Sequence, residues 1–194
     1  FYPLSPYGVA KLYAHWITIN YRQAYGIFAA NGILFNHESP RRGETFVTKK
    51  IVSALCKIKV GLQKKLFLGN ISSKRDWGHA KDYVVAMWKI LQQKKPDDFV
   101  IATGKQYSIK QFVNLVCKEI KLDITWKGKG LREKAFSKDG KILIECDNRY
   151  IRPLDVNTLL GNASKARKKL KWKPAHNINQ LIKDMVSAEF KSIN

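Results

Sequence analysis

Apolar and polar positions along this chain fall into blocks that predict helices and short buried strands in turn. Over residues 5–25, Leu12, His15, Trp16, Ile19 and Tyr25 recur at near-helical intervals. Ser5 is placed to cap that helix, Pro6 suits its first turn, and Gly26 ends it. Ile27 to Phe35 is apolar, too short for a second helix, and reads as a buried parallel strand. A polar loop over 36–44 follows, broken by Pro40 and Gly43. The next helix is expected from Phe46 to Val60, with Ile51, Ala54, Leu55 and Ile58 on one face.

Leu66 to Leu68 reads as a short strand and residues 71–78 as a polar loop. A third helix over 80–92 is predicted to bury Val84, Val85, Met87, Trp88 and Leu91. Phe99 to Ala102 is another buried strand, and Ser108 caps a helix over 109–120. Short strands at 124–126 and 142–144 flank a Gly/Lys/Ser-rich excursion, and helices near 163–170 and 178–191 close the pattern. Strands alternating with helices imply layered α/β architecture, the later part forming a smaller lobe.

Composition changes this picture little. With 194 residues and 45% hydrophobic content, the chain is long enough for one packed domain or one and a fraction. No apolar run approaches the ~20 residues of a membrane span, and no signal peptide is read at Phe1. Cys56, Cys117 and Cys146 are odd in number and form no C-x-x-C pair. Disulfides and metal are therefore not expected, and a reducing cytoplasm fits. The net charge of +21 raises nucleic-acid binding as a remote alternative. The lysines are scattered, however, and the run Lys165 to Lys173 reads as a solvated face around Leu170 and Trp172. Trp77 and Trp88 read as packing residues, His79 as a hydrogen-bonded loop residue, and Asp76 and Asp82 as neutralising neighbouring basic groups.

Tyr7 and Lys11 are the first candidates for chemistry. Four residues apart on a helix, they project from one face. An ammonium held near a phenol favours the phenolate, which can then take a proton from a sugar hydroxyl. Such spacing alone also occurs as a surface pair.

The wider context decides. Ser5-Pro6-Tyr7-Gly8-Val9-Ala10-Lys11, then Asn36-His37-Glu38-Ser39-Pro40-Arg41-Arg42-Gly43, resembles the extended short-chain dehydrogenase/reductase superfamily. More narrowly, these motifs and Lys74-Arg75-Asp76-Trp77-Gly78-His79-Ala80-Lys81-Asp82 resemble the GDP-mannose 4,6-dehydratase family. The likeness runs in family order through Tyr150-Ile151-Arg152-Pro153 to Lys171-Trp172-Lys173-Pro174. The alternative inside the superfamily is another nucleotide-sugar epimerase or dehydratase.

What the resemblance implies can be placed residue by residue. Tyr7 would be the catalytic base and acid, and Lys11 its partner and a cofactor ligand. His37 and Arg42 match positions that contact NADP. Asn36, Val47, Lys50, Arg75 and Arg152 match positions that hold GDP-mannose. Asp155 stands where the family usually has Glu, a carboxylate for the ribose hydroxyls.

The expected fold is a partial NAD(P)-binding Rossmann fold, the second half of its parallel sheet, with a smaller α/β substrate-binding lobe. Rossmann-derived elements are expected at about 1–60 and 79–103, interleaved with the lobe at about 61–78 and 104–194. No G-x-G-x-x-G motif is present. The family's Gly-rich cofactor half, its catalytic Ser/Thr and its Glu base are expected to lie outside this chain. Residues 1–194 alone are thus expected to be inactive, and the intact enzyme a homodimer or homotetramer.

Overall fold

The computed structural model describes residues 2–151, 154 and 156–193. Its elements run α1 (Pro6–Tyr25), β1 (Gly32–Leu34), β2 (Asn36–Glu38), α2 (Val47–Lys59), β3 (Leu66–Leu68), β4 (Lys74–Arg75), β5 (Trp77–His79) and α3 (Ala80–Leu91). They continue with β6 (Phe99–Ile101), β7 (Tyr107–Ser108), α4 (Ile109–Glu119), β8 (Thr125–Lys127), β9 (Lys134–Phe136), β10 (Ile142–Cys146), α5 (Ser164–Leu170) and α6 (Ile178–Ile193).

Capping explains where several helices begin. The Ser5 hydroxyl accepts from Gly8 N at 3.0 Å, and Gly26 ends α1 with φ 63°, a left-handed turn that glycine adopts without steric cost. Ser108 and Gln111 form a reciprocal capping box at α4. Asn177 and Gln180 exchange the same pair of bonds before α6.

The expected long strand over 27–35 is shorter and later. Pairing starts at Gly32, where β1 lies parallel to β6. Phe35 N donates to Ile101 O at 3.0 Å, and the chain then changes partner, β2 running parallel to β5. Residues 71–78 are likewise no simple polar loop. They hold β4, antiparallel to β7, and most of β5, whose Trp77 is buried against Phe112. The separate sheet β3-β10-β9-β8 contains β9, which lies inside the excursion read as irregular.

Two cores result. The larger joins α2, α4 and α6 to β3 and β10 through Ile51, Leu55, Phe112, Val116, Leu181, Ile182 and Met185. Cys56 and Cys117 lie in it, where burial pushes both thiols up to about 12, so they behave as small apolar groups. The second core packs α3 and α5 on β6 through Tyr83, Ala86, Ile90, Phe99, Ile101, Leu170 and Trp172. Around Leu170 and Trp172 the basic run is solvated as expected, with Lys165 and Lys169 both gripping Asp97.

The apolar face assigned to α3 is overturned. Val84, Val85, Met87, Trp88 and Leu91 are all exposed, and the inward side carries Asp82, Tyr83, Ala86 and Ile90. The inner face must fit close against strands and accept a hydrogen bond, so it is smaller and more polar than its opposite. Helix α1 buries no residue at all, and Tyr13, Trp16 and Tyr25 stand in solvent among the described residues. A bidentate pair ties it down: Arg22 donates to both oxygens of Asp98 at 2.8 and 3.0 Å.

Candidate active site

Loop and strand residues 35–50 form the centre of the candidate site. Asn36 and His37 come from β2, where the register places Asn36 beside Trp77 and His37 beside Gly78. His37 Nδ1 is 2.9 Å from Phe35 O. Since a carbonyl only accepts, Nδ1 carries the proton there, and in the neutral ring Nε2 remains as an acceptor. The imidazole stacks on Tyr83 with ring centroids 4.9 Å apart. Burial, with Asp76, Asp82 and Glu38 nearby, pushes the Tyr83 phenol up, so the ring is a neutral platform.

Gly78 makes room for that platform. A Cβ there would come within 2.5 Å of Tyr83 Cε2 and 2.9 Å of Thr103 Cγ2. Replacing Gly78→Ala should tilt the Tyr83 ring, unstack His37 and cost about 1–3 kcal/mol. Denaturant unfolding together with the His37 ring resonances in NMR would check this. An unchanged midpoint with unshifted resonances would show that the glycine is dispensable.

Arg42 extends from the loop after β2. Its Nε lies 3.0 Å from the buried Glu38 Oε2, an ion pair in which the N–H is not aimed well enough to count as a hydrogen bond. The guanidinium carbon is 3.5 Å from the centre of the Phe46 ring. Glu38 also accepts from Thr48 Oγ1 at 2.7 Å. Burial raises the Glu38 carboxyl above its ordinary range, and the Thr48 bond and Arg42 charge offset part of that. Glu38 was not among the residues singled out in the sequence. An acid just after an apolar run, with an arginine four positions on, was the available signal.

Val47 and Lys50 stand in the first turn of α2, half-buried. Lys50 helps line a cleft of about 280 Å³ with Glu44, Ser53, Lys65, Phe67 and Tyr150. Its Nζ lies 3.5 Å over the Tyr150 ring, and burial lowers its pKa, Asp147 opposing the shift. Arg75 sits on β4, where it pairs with Tyr107 of β7, and the preceding Lys74 ties the strand to the segment after residue 156. Lys74 N donates to Asn157 O at 2.8 Å and Leu159 N to Lys74 O at 3.1 Å. Arg152 and Asp155 lie outside the described residues.

Tyr7 and Lys11 share one exposed face of α1. Neither makes a side-chain hydrogen bond or ion pair with His37, Arg42 or any other described residue. The structure therefore gathers Asn36, His37, Arg42, Val47 and Lys50 on one stretch of chain and leaves the tyrosine–lysine pair on the neighbouring helix.

Three polar residues are buried and hydrogen-bonded, His79 as expected of it though on a strand and not in a loop. His79 ends β5 and caps α3, its Nδ1 accepting from Lys81 N at 3.2 Å and its Nε2 meeting Asp184 Oδ2 at 3.0 Å. Asp82 takes His176 N and Nδ1 at 3.0 and 2.8 Å. Among the described residues Asp76 pairs with no arginine; it accepts from Thr103 and from two glycine amides. Among the described residues no group of histidine, cysteine and acidic side chains is placed to hold a metal.

Solved structures share the fold. The RMD protein of Pseudomonas aeruginosa complexed with NADPH superposes with a TM-score of 0.82 at 20% identity, covering 98% of this chain and 58% of that one. The dTDP-glucose 4,6-dehydratase of Bacillus anthracis in complex with NAD gives 0.78 at 20% identity over 98% of this chain and 54% of its own. The fold is thus part of the Rossmann-type α/β fold that those structures share.

Sequence comparison narrows the class. The family model for GDP-mannose 4,6 dehydratase matches residues 1–185, and the chain belongs to that family. It is 56% identical to GDP-mannose 4,6 dehydratase 2 of Caenorhabditis elegans over 97% of this chain and 50% of that protein. It is 52% identical to the human GDP-mannose 4,6 dehydratase over 97% of this chain and 51% of that one. The chain spans about half the length of the curated relatives it matches.

Proposed function

We propose that the protein to which this chain belongs is an NADP-dependent GDP-mannose 4,6-dehydratase, a hydro-lyase that converts GDP-mannose to GDP-4-dehydro-6-deoxymannose. Family membership across residues 1–185 carries the reading. The β1, β6 and α3 layer would be the Rossmann-derived part, and the body around α4, α6, β3 and β10 the substrate lobe.

The residues present suit a dinucleotide and a nucleotide sugar. His37 offers a fixed ring with one nitrogen unspent, and the Arg42 terminal nitrogens donate no hydrogen bond among the described residues. A planar guanidinium held in this way fits the oxygens of an anionic cofactor. Lys50 and Arg75, with Arg152, supply cations for the diphosphate of GDP-mannose, while Asn36 and Val47 position the sugar and Asp155 takes ribose hydroxyls.

When bound, the nicotinamide would accept hydride from C4 of the sugar and return it at C6. Tyr7 would take the 4-hydroxyl proton as that hydride departs, and Lys11 would hold Tyr7 and the cofactor ribose. The resulting 4-ketone acidifies C5–H, and water is lost across C5 and C6. No cofactor is consumed overall.

The reaction would proceed in the cytoplasm, where three free thiols persist, with the protein a homodimer or homotetramer. No helix among the described residues is long and apolar enough to cross a membrane. GDP-mannose deuterated at C4, incubated with full-length protein, should yield a 6-deoxy product carrying the label at C6 by NMR. Turnover of dTDP-glucose with none of GDP-mannose would sink the assignment.

A further inference from the structure

Glu38 is a buried acid for which the proposed mechanism has no use. It is 2% exposed, and a single oxygen, Oε2, meets both the Thr48 hydroxyl at 2.7 Å and Arg42 Nε at 3.0 Å. On its other side the Arg42 guanidinium lies 3.5 Å from the Phe46 ring centre. The plane of the guanidinium is therefore constrained at one edge by charge and on one face by an aromatic ring. Its two terminal nitrogens remain without a hydrogen-bond partner among the described residues. A flexible arginine would lose rotamer freedom on meeting an anion; this one is already held.

We propose that Glu38 is a positioning residue that, with Phe46 and through Arg42, presents a preorganised guanidinium fork to the nicotinamide cofactor. The proposal rests on the reading that Arg42 contacts that cofactor. Thr48 is the third member: on the first turn of α2, its hydroxyl fixes which way the Glu38 carboxylate faces.

The energetics argue against a role in stability alone. Because burial raises the folded-state pKa of Glu38, its contribution to stability is greatest below the unfolded pKa and falls as pH rises through the folded value. Glu38→Gln keeps the shape and an oxygen that can accept from Thr48, and the Arg42 side chain keeps part of its exposure, so the variant should fold.

The test is a binding cycle on the full-length protein, with NADPH as the probe and its fluorescence as the readout. Arg42→Ala and Glu38→Gln should each weaken NADPH binding by about tenfold, and in the Arg42→Ala background Glu38→Gln should add less than about twofold. The melting temperature of Glu38→Gln without ligand should match the parent, as should its affinity for GDP. Should Glu38→Gln not fold, Thr48→Val takes its place in the same cycle, with a smaller loss that also vanishes once Arg42 is gone. If Arg42→Ala is impaired while Glu38→Gln and Thr48→Val bind NADPH normally, the positioning role is wrong although the cofactor reading stands. Additive losses would make Glu38 merely structural. Normal NADPH binding by Arg42→Ala would overturn the cofactor reading and the proposal together.

Discussion

Tyr7→Phe in the full-length protein should lower kcat by about 10³, while the KM for GDP-mannose changes by less than about threefold. The substitution removes one oxygen and keeps the ring, and the ring is 74% exposed, so folding should be unaffected. Losing a group that moves a proton only in the transition state lowers kcat and kcat/KM together. Lys11→Met should reduce kcat too but should in addition weaken NADPH binding, because the ammonium is assigned two tasks. Steady-state kinetics with NADPH titration separate the variants. A Tyr7→Phe enzyme within about tenfold of the parent would remove Tyr7 from the proton-transfer role.

The largest expected loss of stability is at Asp76. This carboxylate is wholly buried and accepts from Thr103 N at 3.0 Å, Thr103 Oγ1 at 2.6 Å, Gly104 N at 2.9 Å and Gly161 N at 3.3 Å. It joins the start of β5 to the chain leaving β6 and to the approach to α5. The chain is close-packed there: a Cβ on Gly161 would lie 2.1 Å from the Ala102 methyl. Asp76→Ala strands buried amides at about 1–3 kcal/mol each, so a total loss of about 3 kcal/mol or more is expected. For a domain of this size that lowers the melting temperature by about 6–12 °C. A shift under about 2 °C would show that water replaces the carboxylate and that the junction is looser than the distances imply.

Asp76 also shows why sequence pattern went only part of the way. Helices α1, α2, α4 and α6 were legible because caps and periodicity are local: Ser5, Gly26 and Ser108 mark ends within a few residues. Residues 71–78 were not, since Ser73 and Asp76 are polar yet buried, and polarity in a single sequence looks the same satisfied inside as solvated outside. The face of α3 was misjudged for the converse reason. Its exposed side is more hydrophobic than its buried one, so a rule that buries the most apolar stripe selects Val84 and Trp88 over Tyr83 and Ala86.

The site divides in the same way. Motif resemblance picked out His37, Arg42 and Lys50, and the structure gives each a defined setting: a tyrosine platform, a buried acid and an aromatic face. Nothing periodic marks Glu38, Gly78 or Tyr83, because their importance lies in contacts across β2, β5 and α3. Those contacts exist only once the strands pair in register.

The Arg22–Asp98 pair gives α1 the mechanics of a lever. Its load, the phenol of Tyr7, lies near one end of a twenty-residue helix and its fulcrum near the other, about 22 Å away. A swing of about 3° at the fulcrum carries the phenol through about 1 Å, enough to spoil proton transfer. If Tyr7 moves the proton as proposed, the angular tolerance of that step would be set at a guanidinium–carboxylate joint far along the helix.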